Sequence, residues 1–216
     1  EGISAIDCPL GTISSAGDGV CTACAVGRTS NGAHTNCRTC LAGRQCANPL
    51  TGHTPCEAGS FANGNAVRTV CDLCAPGNQC PGAGETGETA CIAGRYAPYS
   101  GMSSCLQCPE AHSCVAGSSE PVACPPGQFA AAASSTCTNC VAGEYCPEGA
   151  TAATACPAGR FSTANGAVEC ELCPAGSECT STASTLCADG SYSLGGASSC
   201  TQCPAGYQCP TTAKAF

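Results

Sequence analysis

The chain has 216 residues, of which 26 are Cys, 27 Gly and 15 Pro, with no Trp and a formal net charge of -8. Aromatic residues make up 4% and Lys plus Arg number 7, which excludes a large apolar core and a basic nucleic-acid-binding face. No apolar run approaches the roughly 18 residues that a membrane-spanning helix requires.

Cysteine at this density marks a disulfide scaffold, in which covalent links supply the order that burial cannot. The even count allows complete pairing, and oxidised cysteines imply an extracellular or secretory compartment. No signal peptide precedes Glu1; the expected reason is that the chain is the processed part of a longer product. Asn-x-Ser/Thr does not occur. The stretches 151–155 (TAATA) and 181–185 (STAST) are candidates for O-linked glycan, with an exposed polar linker as the plainer reading.

Residues 1–23 form a half repeat, with Cys8, Cys21, Gly11 and Ile13. Six four-cysteine repeats follow, each reading C-x-x-G, a span to the second Cys, then C-x2-C-x5-C. The first, 24–55, carries Cys24, Cys37, Cys40 and Cys46, with Gly27, Thr29 and an Asn31-Gly32 turn signal. The second, 56–90, holds Gly59, Phe61 and Asn63-Gly64; the third, 91–123, holds Gly94, Tyr96 and Ser100-Gly101. The fourth, 124–155, has Gly127 and Phe129. The fifth, 156–186, has Gly159, Phe161 and Asn165-Gly166, and the sixth, 187–209, has Gly190, Tyr192 and Gly195-Gly196. A tail, 210–216, closes the chain.

Such a period defines a repeat protein before any local motif does. The glycine three residues after each repeat's first cysteine suits a φ > 0 turn or a close backbone approach. A second glycine recurs after the third cysteine, at Gly43, Gly77, Gly143, Gly176 and Gly206, but Ala111 breaks it, so this second position is expected to be less demanding. The recurring aromatic is expected to lie over its disulfide and the next repeat's turn, giving one small core per unit. Asn-Gly between short flanks is a type I′ hairpin signal. Flanks such as Arg160-Phe161-Ser162 and Ala167-Val168-Glu169 are therefore expected to pair, with a disulfide closing the base. Pairing first with second and third with fourth cysteine is the simplest count, because Cys8 and Cys21 then fit it; first with third and second with fourth is the rival. The expected fold class is small and disulfide-rich, tandem four-cysteine repeats with short β-hairpins and irregular turns in an elongated rod or solenoid.

The run Cys156-Pro157-Ala158-Gly159-Arg160-Phe161, with Cys170, Cys173-Pro174-Ala175-Gly176 and Cys179, resembles ephrin-receptor-like cysteine-rich modules, of the kind also related to tumour-necrosis-factor-receptor and epidermal-growth-factor-like (EGF-like) modules. Ala-, Thr- and Gly-rich arrays of this sort are similar to surface proteins of ciliates and other microbial eukaryotes. The resemblance implies an extracellular array of modules and no catalytic residue.

Other chemistry finds little support. Paired C-x-x-C motifs suit a four-cysteine zinc site or a thioredoxin-type redox centre, but seven copies in turn-rich sequence read as staples. His34, His53 and His112 read as exposed loop residues, and Glu169/Glu171 or Glu144/Glu148 lack the cleft that paired-carboxylate catalysis needs. The expectation is a non-enzymatic chain without cofactor or metal: a subunit or segment of a self-assembling extracellular filament or cell-surface coat, whose expected partners are copies of itself or other surface proteins. The alternative is a receptor-like or adhesive stalk, with the 57–70 loop, holding Phe61 and Arg68, as the first place for a ligand.

Overall fold

The cysteines pair in sequence order. The structure, a computed structural model that describes residues 6–209, has thirteen disulfides and no free cysteine. In each repeat the first cysteine bonds the second and the third bonds the fourth, as in Cys24–Cys37 and Cys40–Cys46. Cys8–Cys21 follows the same rule. The Cα–Cα spans run from 5.6 to 6.2 Å, the ordinary reach of a disulfide.

Twelve two-stranded ribbons follow one another among the described residues, each joining consecutive strands. In chain order they are hairpin 1 (Thr12–Ile13 with Thr22–Ala23), 2 (Arg28–Ser30 with Cys37–Thr39), 3 (Arg44–Gln45 with Thr54–Pro55) and 4 (Ser60–Phe61 with Asp72–Leu73). Then come 5 (Asn78–Gln79 with Thr89–Ala90), 6 (Arg95–Tyr96 with Leu106–Gln107), 7 (His112–Ser113 with Val122–Ala123) and 8 (Gln128–Phe129 with Thr138–Asn139). The last are 9 (Glu144–Tyr145 with Thr154–Ala155), 10 (Arg160–Phe161 with Glu171–Leu172), 11 (Ser177–Cys179 with Ser184–Leu186) and 12 (Ser191–Tyr192 with Thr201–Gln202). One short 3₁₀ turn, Pro49–Thr51, is capped by Asn48, whose side-chain oxygen accepts the Leu50 amide at 2.9 Å. The 210–216 tail lies outside the described residues.

Three features differ from the sequence expectation. First, the structural period is half the sequence period. A four-cysteine repeat such as 56–90 holds two hairpins, and the second grows from the third cysteine, where irregular turns were expected. Cys-x-x-Gly opens both kinds: Cys56 to Gly59 in hairpin 4 and Cys74 to Gly77 in hairpin 5. Second, the returning strand of hairpin 10 is Glu171–Leu172, not 167–169. The two residues inside each C-x2-C are the strand, which is why the spacing cannot vary. Third, Asn165-Gly166 is not a two-residue hairpin turn. Nine residues separate Phe161 from Glu171, and this loop serves a neighbour, Gly166 donating to the Cys140 carbonyl at 2.7 Å; the Cys156–Cys170 bond joins a residue before the hairpin to the loop end of the returning strand, where a bond across the base was expected.

The described residues divide into two bodies, 6–106 with 116–120, and 107–115 with 121–209. Each is held by the same backbone contacts between hairpins. In the first, Gly43 donates its N–H to the Ala62 carbonyl, Gly59 to Cys80 and Gly77 to Ala97, each at 2.8 Å. In the second, Gly127 donates to Cys146 at 2.8 Å and Gly143 to Ser162 at 3.0 Å. The accepting residue always follows the first strand of the next hairpin and is buried: Ala or Ser in one kind of hairpin, the fourth cysteine in the other. A reciprocal bond runs from that residue's own N–H to the following loop, as in Cys80 to Met102 at 3.0 Å and Cys146 to Ala167 at 2.8 Å. The core is thus a series of small clusters made largely of sulfur and alanine, such as Cys91, Ala97 and Cys105.

Candidate interaction surface

The glycines lie at the points where hairpins touch. Gly11, Gly27, Gly59, Gly94, Gly127, Gly159 and Gly190 all have φ between 78° and 91°. At most of them a side chain has no room. A Cβ on Gly59 would lie 2.2 Å from the carbonyl oxygen of Gly101, and one on Gly159 would lie 2.0 Å from that of Gly196. Each of those carbonyls belongs to the loop two hairpins further on. The same loop residue donates its N–H to the hairpin between: Gly101 to the Cys74 carbonyl and Gly196 to the Cys173 carbonyl, both at 2.8 Å. One loop glycine therefore clamps two earlier hairpins.

The second glycine position is equally demanding, against expectation. Gly43, Gly77, Gly143, Gly176 and Gly206 have φ between 73° and 88°. Ala111 does not escape this geometry; it adopts φ 57° and keeps the contacts, donating to Ala130 and accepting from Cys124, both at 2.8 Å. Alanine here carries the left-handed strain that glycine avoids.

Of the recurring aromatics, Phe161 is buried, while Phe61, Tyr96, Phe129 and Tyr192 are half-buried. Phe161 packs on Cys173 and Cys179, and Phe129 packs on the cluster containing Cys140 and Cys146. These two aromatics thus cover the disulfide of the following hairpin, not the longer bond of their own. Cys8, Cys24, Cys40 and Cys46 are buried, Cys37 is half-buried and Cys21 is exposed. Thr29 occupies the aromatic position in the first repeat; it is 5% exposed, and its hydroxyl has no hydrogen-bond partner among the described residues.

The 57–70 loop is engaged inside the array. Arg68 pairs with Asp72 and donates to the backbone and side-chain oxygens of Asn63, while its carbonyl accepts from Cys46 at 2.9 Å. Val67 Cγ1 lies 2.7 Å from where a Gly27 Cβ would be. Arg95 and Arg160 hold their own loops, donating to the carbonyls of Cys105 at 3.0 Å and Cys170 at 2.8 Å.

The histidines lie apart and are half-buried, where exposed loop residues were expected, and His53 Nδ1 has no hydrogen-bond partner among the described residues. His34 Nδ1 lies 3.3 Å from Ser30 Oγ, and His112 Nδ1 lies 2.8 Å from the Glu110 carbonyl. His34 also lines a 290 Å³ cleft with Asp7, Ser14 and Gly32. Among the described residues no three metal-ligating side chains converge, and no helix is long and apolar enough to cross a membrane. The two cysteines of every C-x-x-C belong to different disulfides, Cys71 to Cys56 and Cys74 to Cys80 for example, so the motif cannot cycle between dithiol and internal disulfide as a redox centre does.

What remains outside is a surface of short aliphatic side chains and few charges. Leu73, Ile92, Val122, Val141 and Leu172 stand exposed beside their staples, Leu73 at 63% and Leu172 at 55%. Their recurrence follows from the ribbon: a two-residue strand has no second sheet to cover it. Among known proteins, no family model matches this chain and no curated sequence matches it.

Proposed function

We propose that this chain is a structural protein of the extracellular space, a subunit or segment of a self-assembling filament or cell-surface coat, with no catalytic activity. The observation that carries the reading is the way the hairpins join. Backbone atoms, glycines and cystines make the contacts, and the joining surface is nearly the same at each step. A repeating unit whose contacts hardly depend on large side chains suits assembly by repetition. Thirteen disulfides make an oxidising compartment the natural setting, and the resemblance of the 156–179 run to ephrin-receptor-like modules agrees with that setting. Aliphatic side chains recur on the outside where charge is sparse, which favours contact between like surfaces.

The test is purified, fully oxidised chain followed by negative-stain electron microscopy and sedimentation velocity over a range of concentrations. Regular fibres or sheets support the proposal. A chain that stays monomeric at every concentration overturns it and favours an adhesive stalk that binds a different partner.

A further inference from the structure

Asn-Gly occurs three times, at 31–32, 63–64 and 165–166, and the fold treats each step differently. Asparagine reacts readily with its own backbone at such a step, because glycine places no Cβ beside the attacking nitrogen. Two of the three steps are held shut. Every polar atom of Asn31 is bonded. Its N–H donates to the Asn36 carbonyl at 2.9 Å, and its carbonyl accepts from His34 at 3.0 Å. Its Oδ1 accepts the Thr35 and Asn36 amides at 2.8 and 3.2 Å, and its Nδ2 donates to Thr35 Oγ1 at 3.0 Å. The Asn31 amide therefore cannot swing onto the Gly32 nitrogen without breaking its turn. At the third step the nitrogen itself is taken: the Gly166 N–H donates to the Cys140 carbonyl at 2.7 Å, and Asn165 Oδ1 accepts the Ala142 amide at 3.1 Å.

The step at Asn63 and Gly64 is open. Both residues are exposed, Gly64 has φ 60°, and nothing lies within 4 Å of where its Cβ would be. Neither the Gly64 N–H nor Asn63 Nδ2 has a hydrogen-bond partner among the described residues. The one group that does reach Asn63 is a cation. Arg68 Nη2 donates to the Asn63 carbonyl and to its Oδ1, each at 3.2 Å, and Arg68 is itself anchored by Asp72. The docking bonds of this loop pass the step by on either side. Gly43 donates to the Ala62 carbonyl at 2.8 Å, and Ala42 donates to Asn65 Oδ1 at 3.0 Å.

We propose that Asn63–Gly64 is a self-modification site, at which the chain converts an amide to a carboxylate. The Gly64 nitrogen gives its proton to solvent base and attacks Asn63 Cγ, forming a C–N bond. The negative charge that develops on Oδ1 faces the Arg68 guanidinium, a donor already in place. The Cγ–Nδ2 bond then breaks, and the nitrogen leaves as ammonia with a proton from water. One water opens the resulting succinimide at either carbonyl, giving aspartate or isoaspartate. The net change is amide and water to carboxylate and ammonium, with no change of oxidation state. The new carboxylate meets Arg68 as Asp72 does, in a charge-assisted contact, and the loop gains a negative charge.

The test is incubation of the full, oxidised chain at neutral pH, followed by peptide mapping with mass spectrometry. Heavy-oxygen water marks each converted residue, and an isoaspartyl methyltransferase marks the isoaspartate product. Asn63 is expected to convert about tenfold faster than Asn31 or Asn165, which must first open locally. Equal rates, or a faster Asn165, overturn the proposal. In the reduced, denatured chain the three rates are expected to converge; a preference for Asn63 that survives unfolding overturns the structural assignment. Arg68→Gln, with its disulfides verified, reads the guanidinium. The Asn63 rate, taken relative to Asn165 in the same molecule, is expected to fall about fivefold. An unchanged or raised ratio overturns the role given to Arg68.

Discussion

Ala111 shows how strictly one backbone conformation is imposed. Its φ of 57° is unfavourable for any residue with a Cβ, and its two backbone hydrogen bonds hold it there. Ala111→Gly is therefore expected to stabilise the chain by about 1 kcal/mol, the strain relieved less the extra freedom glycine has when unfolded. Guanidinium unfolding with disulfides intact reads this as a higher midpoint; an unchanged or lower midpoint refutes the strain. The reverse change separates two costs. Gly64→Ala meets only backbone strain, whereas Gly159→Ala also drives a Cβ to 2.0 Å from the Gly196 oxygen. The first is expected to cost about 1 kcal/mol and the second about 3 kcal/mol or more. Equal losses would show that the loop gives way freely. Thr29 is the opposite kind of misfit, a buried hydroxyl without a partner among the described residues. Thr29→Val keeps the shape and removes the unsatisfied group, and a gain of about 1 kcal/mol is expected; a loss would mean that the hydroxyl finds a partner in solution.

At the scale of the element, the two classes of disulfide do different work. The longer closures, 13 to 15 residues apart, tie a residue before each hairpin to the loop end of its returning strand. Two of the shorter ones, 6 apart, sit in clusters with an aromatic ring, while the longer Cys91–Cys105 bond sits in one with Ala97. Chain entropy alone gives about 3 kcal/mol for the longer loop and about 2.4 kcal/mol for the shorter. Packing reverses the order, because Cys140 and Cys146 are fully buried among Ala150, Phe129 and Ala153. Replacing Cys140 and Cys146 by Ala is thus expected to destabilise more than replacing Cys124 and Cys137, adding a cavity cost to the lost closure. Local hydrogen exchange in hairpins 8 to 10 measures both variants, and a larger loss for Cys124/Cys137 would mean that closure outweighs packing. The same elements show what the sequence could reveal. The constant C-x2-C-x5-C spacing declares the staples and the repeat. It hides the strands, because Glu171 and Leu172 are both exposed and a ribbon with no buried face has no alternation to read. The hairpin after the third cysteine was obscured for a related reason: its disulfide, Cys74–Cys80 for instance, brackets the first strand alone and does not reach the returning strand Thr89–Ala90. Cys-x-x-Gly at both halves of each repeat was the available signal, and Ala111 concealed it by standing where glycine was expected. The interaction surface was the least legible part, since backbone carbonyls make it and any residue carries one.

For the whole molecule, the consequence is short-range cooperativity. Within the second body, the contacts of hairpin 10 reach hairpins 8 and 9 on one side and 11 and 12 on the other. Among the described residues no single cluster gathers the body around it; the clusters of Cys140 and of Phe161 are separate. Stability is then nearly a sum of local and neighbour terms, and an interior stretch needs only a few hairpins to fold. A fragment spanning 124–209 is expected to form Cys124–Cys137, Cys140–Cys146, Cys156–Cys170, Cys173–Cys179, Cys187–Cys200 and Cys203–Cys209 without the rest of the chain. Its amides from Gly143 to Gly176 are expected to exchange as slowly as in the full chain, while those of hairpin 8, which loses the neighbour before it, exchange faster. Disulfide mapping after oxidative refolding, with hydrogen exchange on the product, measures both. Scrambled pairing or uniform fast exchange would mean that distant hairpins are needed to hold each one, and the chain would then fold as one cooperative unit with order that local backbone docking does not supply.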